Sequence, residues 1–586
     1  MPVTEVRWIP DQPFRKKTPF LTRANVGEVL PEPPSPAGWD LVFANGGTIH
    51  GWRDCAVQRL GIGEEEHDPD PNSLEWMASY GGYGYLNATW IRVWGERTPG
   101  MSAAAMDAAY FGDHPDVPPY VAEPWHQNPA TTARMTDWLG WVMGTMEQTE
   151  LEADRLEARR IRAARPDLTK LTDAELLDRA ISLRPVCRRL FNQHINQSAA
   201  AAVGPGTIGA ICAAVGRPEL TMRLIAGLGG VDSAAPSYAM WELSRTVRSS
   251  PALTALFDHC EGGRWAAITA SHEPEVASFH GAVEAFLAEY GSRGPNEWDV
   301  LSETWETDPD IALAAIDRMR LAPDSASPKQ HTAARESERK AAAAEMKAAL
   351  AADAATLGQF EAALASAATF VPGRERSKTN IIRVIEETRM AIWEIGSRAV
   401  ARGEIDRPSD ICFLFEDELR ACAERRLGGV RDHVDARKRH YAWLLTLEPP
   451  FIINGPPPPN TTWPLRSDHV ATAVGAGESL AGNPGCPGVA RGRARVVLDA
   501  SDPTVLEPGD ILVAPMTDPA WTPLFVPAAG VVVDVGAALS HAIIVCRELG
   551  IPCVVSVTDA TRRIPHGSIV EVNGDTGCVT VIELPA

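Results

Sequence analysis

Ser540 and His541 stand between an apolar β-branched run, Val531–Val535 with Gly536 after it, and the segment Ala542–Leu549, which stops at Gly550 and Pro552. That order reads as strand, short turn and helix, with Ser540 at the N-cap and a glycine followed by proline as the stop signal. The spacing predicts His541 in the first helical turn. There, three or four backbone N–H groups lack partners, and the helix dipole carries roughly half a positive charge. A positive end disfavours imidazolium and favours anions. It therefore keeps the imidazole neutral and nucleophilic, and then holds a phosphoryl group once one is attached. A histidine that only packs or caps is the alternative these residues leave open.

Two other groupings have usable chemistry. Arg374 and Lys378 are four apart in GRERSKTNIIRVIEETR, so a helix would set two cations side by side, able to neutralise a phosphoryl group in transit. A solvated basic face beside Glu375 is the plainer reading. In YGSRGPNEWD, glycine and proline make a rigid turn carrying Arg293, Glu297 and Asp299. Either Arg293 or Glu297 serves an acceptor hydroxyl or phosphate, or the turn is held by a buried ion pair.

The elements that must position these residues fall into three textures. Residues 1–130 are rich in Pro, Gly and aromatics and read as loops and short elements over a shared core. Residues 131–445 are helical in character. From His331 to Phe370 strong helix formers dominate, and Met346, Leu350 and Leu357 recur at helical spacing, predicting a long helix or helix pair. A proline-rich break follows, EPPFIINGPPPPNTTWPL, with prolines at 456–459; such a segment favours extended geometry and acts as a semi-rigid spacer. Beyond residue 475 short β-branched runs alternate with turn residues, an α/β pattern whose one helix begins at Ser540.

Bulk properties exclude several classes. A formal charge of −21 argues against a nucleic-acid or anionic-membrane surface. The ten cysteines include no CxxC pair and no cluster at zinc spacing, so no metal site is expected. The N-terminus lacks the apolar core of a signal peptide, and no apolar run reaches the ~18 residues of a membrane span. A cytoplasmic location is expected.

The C-terminal motifs GCPGVARGRARVV (485–497), PGDILVAPMTDPAWTPLF (508–525) and AAGVVVDVGAALSHAIIVCRELGIPCVV (528–555) resemble the swivelling phosphohistidine domain of the phosphoenolpyruvate-utilising enzymes. The resemblance implies that His541 is the phosphate carrier, supported by Ser540 and Gly536. Ala537, where a second glycine is usual, and Cys546, where alanine is common, depart from the pattern. Patchier similarity links residues 19–450 to the substrate domain of rifampin phosphotransferase and phenylphosphate synthase, through segments at 22–36, 84–102, 290–309, 373–389 and 403–419.

The resemblance implies a multidomain chain. A large, mostly α-helical substrate-binding domain (1–447) is followed by a Pro-rich linker (448–474) and an α/β swivelling domain (475–586). It also implies phosphotransferase activity of the dikinase type, with Arg374 and Lys378 catalytic and Arg293 and Glu297 in substrate binding. Family members charge the histidine from ATP and Mg²⁺ in an ATP-grasp domain, and the sequence has no P-loop. The charging module is therefore expected on a separate ATP-grasp subunit, which binds both cofactors. The expected acceptor is a hydroxyl of a small aromatic or hydrophobic molecule. Phosphoenolpyruvate acting through a separate partner, or a non-catalytic phosphocarrier, are the alternatives.

Overall fold

In a computed structural model, residues 6–112, 114–260, 263–498, 506–517, 521–536 and 540–585 are described. A large helical N-terminal region precedes a C-terminal sheet-containing domain, as the sequence pattern implies. The chain folds as two compact units. Unit 1 comprises Met1–Ala200, Trp298–Ser302 and Ser377–His469; unit 2 comprises Ala201–Glu297, Glu303–Arg376 and Val470–Ala586. The helical part is thus divided, and much of it shares a unit with the C-terminal region.

In unit 1 four short strands form an antiparallel sheet in the order β2-β3-β1-β4, with β1 Phe20–Thr22, β2 Met77–Tyr80, β3 Tyr83–Asn87 and β4 Ile452–Asn454. The β2–β3 hairpin turns on Gly81 and Gly82, both at positive φ, which matches the right-handed twist of the strands. The first half of the segment expected to be a semi-rigid spacer is docked within unit 1. β4 pairs with β1, Leu447 bridges Leu465, and the Trp463 ring is buried 5.9 Å from that of Tyr83. Burying Ile453 and Trp463 with Tyr83 and Leu444 outweighs the extended preference of the prolines. Residues 464–470 are exposed. Two long helices contribute to this unit, α1 (Arg184–Ala214) through its first half and α2 (Ala354–Ala401) through its second.

In unit 2 the helical pair expected from 331–370 is present as Pro328–Ala349 followed by the start of α2, with Met346 and Leu350 buried. Eight strands form one mixed sheet in the order β5-β12-β11-β7-β8-β9-β10-β6. They are β5 Ser479–Ala481, β6 Asn483–Cys486, β7 Val489–Val496, β8 Ile511–Ala514, β9 Gly530–Val533, β10 Cys553–Val555, β11 Ile569–Asn573 and β12 Cys578–Glu583. The inner strands β7, β8, β9 and β10 are parallel, in a register that lines up Val496, Val513, Val532 and Val554. β8, β9 and β10 are apolar and buried throughout because both faces of a parallel sheet are covered there, whereas β7 carries Arg491, Arg493 and Arg495. One face packs on Val570, Val579 and Ile564, and the other joins a core with Trp241, Phe279, Trp305 and Leu313 of the helical layer.

Candidate functional site

Helix α3 (His541–Leu549) joins the parallel neighbours β9 and β10, so it starts beyond the carboxyl end of β9. In open α/β sheets that edge is where ligands bind. Ser540 occupies the N-cap in extended conformation, but its hydroxyl makes no capping bond, contrary to the sequence expectation. It turns instead toward Gly536, where an added Cβ would lie 3.2 Å from Ser540 Oγ and 3.0 Å from Val555 Cβ. Gly536 is therefore set by close packing, and its carbonyl accepts a 2.6 Å bond from the Ser556 hydroxyl. Ala537 lies outside the described residues. At the far end Gly550 takes φ 70° and closes the helix as its position predicts.

His541 is 3 % exposed. Its Nε2 lies 3.1 Å from Thr522 Oγ1, and its ring centroid 6.2 Å from that of Phe525. Both partners come from the four-residue helix Thr522–Phe525. Thr522 was not identified from sequence, and no local pattern marks it, since its role depends on a contact made across the domain.

All nine residues of α3 are buried. One side faces the sheet, through Ile543, Val545 and Cys546. The other faces the helical layer of unit 2, where Ile544 packs on Val231 and Ala234. Glu548 accepts from Gly229 N–H at 3.2 Å and Tyr238 O–H at 3.4 Å, and its backbone carbonyl from Thr332 Oγ1 at 2.9 Å. Burial holds the Glu548 carboxyl above its ordinary range and brings the Arg547 guanidinium down to about 10. A small cleft lined by Ile225, Leu228, Val231, Val371, Ile544 and Glu548 lies along this contact. Cys546, the departure noted above, is a fully buried thiol pushed well up by desolvation, a small hydrophobe rather than a nucleophile.

Arg374 and Lys378 sit on α2, as their spacing predicts, but on no solvated face. Arg374 in unit 2 forms an ion pair with the buried Glu375. Lys378 in unit 1 is 8 % exposed, its Nζ 5.9 Å from the Trp298 ring centroid. Arg293 and Glu297 form a 2.8 Å ion pair, 2 % and 0 % exposed. Asp299 belongs to unit 1, where its carboxylate accepts from Ser35 N–H at 2.6 Å, Ser35 Oγ at 2.5 Å and Leu301 N–H at 2.9 Å. Burial keeps that carboxyl above its ordinary range. Among the described residues no helix is long and apolar enough to cross a membrane, and no group of three or more His, Cys, Asp or Glu side chains is placed to hold a metal ion.

Comparison with known proteins places this geometry. Residues 193–375 match the rifampicin phosphotransferase fourth domain, and residues 506–577 match the mobile domain of PEP-utilising enzymes. The two matched stretches fall largely in unit 2, which contains α3. A rifampicin phosphotransferase of Streptomyces sviceus is 31 % identical over 307 residues, 51 % of this chain and 34 % of its own. The prodigiosin synthesizing transferase PigC of Serratia marcescens is 30 % identical over 374 residues, 62 % of this chain and 40 % of its own. An uncharacterised protein of Mycobacterium tuberculosis is 32 % identical over 311 residues, 53 % of this chain and 32 % of its own. The chain spans about a third of the length of the first curated relatives it matches. Around α3 the chain is thus similar to the mobile domain of PEP-utilising enzymes, and over residues 193–375 to the fourth domain of rifampicin phosphotransferase.

Proposed function

We propose that the chain is the phosphotransferase component of a dikinase-type system in which His541 carries the phosphoryl group to a hydroxyl of a small aromatic or hydrophobic molecule. The observation that carries this reading is the position of His541. It is the first residue of α3, beyond the carboxyl end of β9, inside the stretch matched by the mobile domain. The orphan N–H groups and dipole of α3 favour the neutral imidazole before transfer and the phosphoryl anion after it.

His541 is charged from ATP by an ATP-grasp module outside the described residues, on a separate subunit that binds the nucleotide and its Mg²⁺. The β-phosphoryl group bonds to the His541 imidazole, water takes the γ-phosphoryl group as inorganic phosphate, and AMP leaves. The acceptor oxygen then bonds to phosphorus as the P–N bond to His541 breaks, its proton passing to solvent, and Arg374 and Lys378 offset the moving charge. With every residue of α3 buried and Ile544 packed on the helical layer, loading and delivery both require α3 to leave that layer. We assign the hinge to residues 467–473, because the chain before it is docked on β1 and Tyr83. We place the protein in the cytoplasm, in keeping with ten cysteines that form no disulfide.

The test is label transfer. The full chain is incubated with a candidate ATP-grasp subunit and ATP labelled at the β-phosphate, or with labelled phosphoenolpyruvate and its own candidate partner. Acid-labile, base-stable label on the chain, absent from His541→Gln, is expected with ATP. Label retained in that variant sinks the assignment of His541, and label from phosphoenolpyruvate alone moves the donor.

A further inference from the structure

β10 ends at Val555, and the next residue, Ser556, turns the chain in the left-handed region at φ 55°. Among the described residues only six non-glycine residues take positive φ. Four of them are asparagine or aspartate, whose short polar side chains tolerate that region; at Ser556 the backbone favours glycine. The turn is imposed from both sides. Val555 is paired with Asn483 of β6, and the Val557 N–H donates at 3.1 Å to the carbonyl of Val533, the last residue of β9. Farther on, Thr561 bonds Asp534. A left-handed serine persists only where its surroundings fix it, and residues held in that way gather at functional sites.

What serine adds over glycine here is a hydroxyl. It donates to the Gly536 carbonyl at 2.6 Å and so ties the turn after β10 to the residues that follow β9. Gly536 in turn packs so closely on its neighbours that an added Cβ would lie 3.2 Å from Ser540 Oγ and 3.0 Å from Val555 Cβ. Ser540 is the N-cap of α3, its carbonyl accepts from the Ile544 N–H at 3.1 Å, and His541 is the next residue. A continuous set of contacts therefore runs from the Ser556 hydroxyl through Gly536 and Ser540 to the first turn of α3.

We infer that Ser556 is a positioning residue for His541, its hydroxyl holding Gly536 and Ser540 so that the imidazole and the first-turn N–H groups of α3 keep the arrangement phosphoryl transfer needs; the inference rests on the phosphotransfer reading. The strained backbone is kept because glycine, which would relieve it, has no hydroxyl to offer Gly536. Ser556 acts through the turn and not on the reacting atoms. A reacting group displaced by about 1 Å can lose roughly a hundredfold in rate, so a turn loosened by one lost bond is expected to cost about tenfold.

Three substitutions in the full chain separate the hydroxyl from the backbone. Ser556→Ala removes the hydroxyl and keeps the left-handed strain, and Ser556→Gly removes both. Ser556→Thr keeps the hydroxyl and adds a β-branch, which that region resists. Unfolding midpoints should follow the backbone, with Ser556→Gly about 2–4 °C above Ser556→Ala and Ser556→Thr below the wild type. The rate at which His541 is labelled, with β-labelled ATP and the ATP-grasp subunit, should follow the hydroxyl instead. It should fall about tenfold in both Ser556→Gly and Ser556→Ala and stay within about twofold of the wild type in Ser556→Thr. Labelling that tracks the midpoints, with Ser556→Gly near the wild type, overturns the inference, and the glycine and alanine variants decide it if the threonine variant does not fold. Equal labelling of the wild type and all three variants refutes the positioning role alone, while label absent from the wild-type chain refutes the phosphotransfer reading.

Discussion

Thr522 Oγ1 lies 3.1 Å from Nε2 of His541, and the ring it touches is 3 % exposed. The hydroxyl both orients the imidazole and covers the nitrogen that faces it. The arrangement resolved here is therefore one in which α3 is docked and its histidine sheltered from water.

Thr522→Val keeps shape and removes the hydroxyl. Losing a bond of about 1 kcal/mol that orients the ring should slow phosphoryl acceptance by His541 roughly five- to tenfold, with the unfolding midpoint nearly unchanged. Single-turnover labelling of the full chain reads the first, and thermal unfolding the second.

His541→Gln should abolish labelling completely, because no other group at the start of α3 has a nucleophilic nitrogen. Its far-ultraviolet circular dichroism should match the wild type. A substitution that lost fold and label together would leave the role of His541 to be read from Thr522→Val.

Gly536→Ala places a Cβ 3.0 Å from Val555 Cβ and 3.2 Å from Ser540 Oγ. One of the strand, the turn or the hydroxyl must shift, and overpacking of this kind costs about 1–3 kcal/mol. Thermal unfolding should report the loss, and labelling of His541 should fall with it because Ser540 is displaced at the start of α3.

Asp534 is one source of pH dependence in this region. Burial pushes its carboxyl up to about 6 from an ordinary 3.8, against bonds from Thr561 N–H at 2.8 Å and Thr561 Oγ1 at 2.5 Å. A raised folded pKa means that the folded state binds the proton more tightly than the unfolded chain does. The group's contribution is then most favourable below about pH 4 and is lost as pH rises through about 6. Asp534→Asn should remove this dependence, stabilising the protein at pH 8 by about 2–3 kcal/mol relative to wild type, with the gap closing toward pH 4. Unfolding midpoints across that range check the sign.

Part of this protein was legible in its residues taken in order. The β-branched run before Gly536, the helix from His541 to Gly550, the alternating strands after residue 475 and the break between 349 and 354 all follow from local periodicity and turn chemistry. Those act over a few residues. Arg374 and Lys378 fall on one helix for the same reason.

What surrounds each side chain was decided by tertiary structure. Ser540 reads as a capping hydroxyl, but in the fold it lies beside Gly536 and makes no capping bond. The proline-rich segment reads as a semi-rigid spacer, and the residues flanking its proline run, Ile453 and Trp463, are buried beside Tyr83. Arg293 and Glu297 pair with each other, while Asp299, two residues on, bonds Ser35. Thr522 meets His541, and Trp298 meets Lys378 and His194, through contacts between segments far apart in the chain. Such contacts follow from which apolar faces find each other, so no window of sequence contains them.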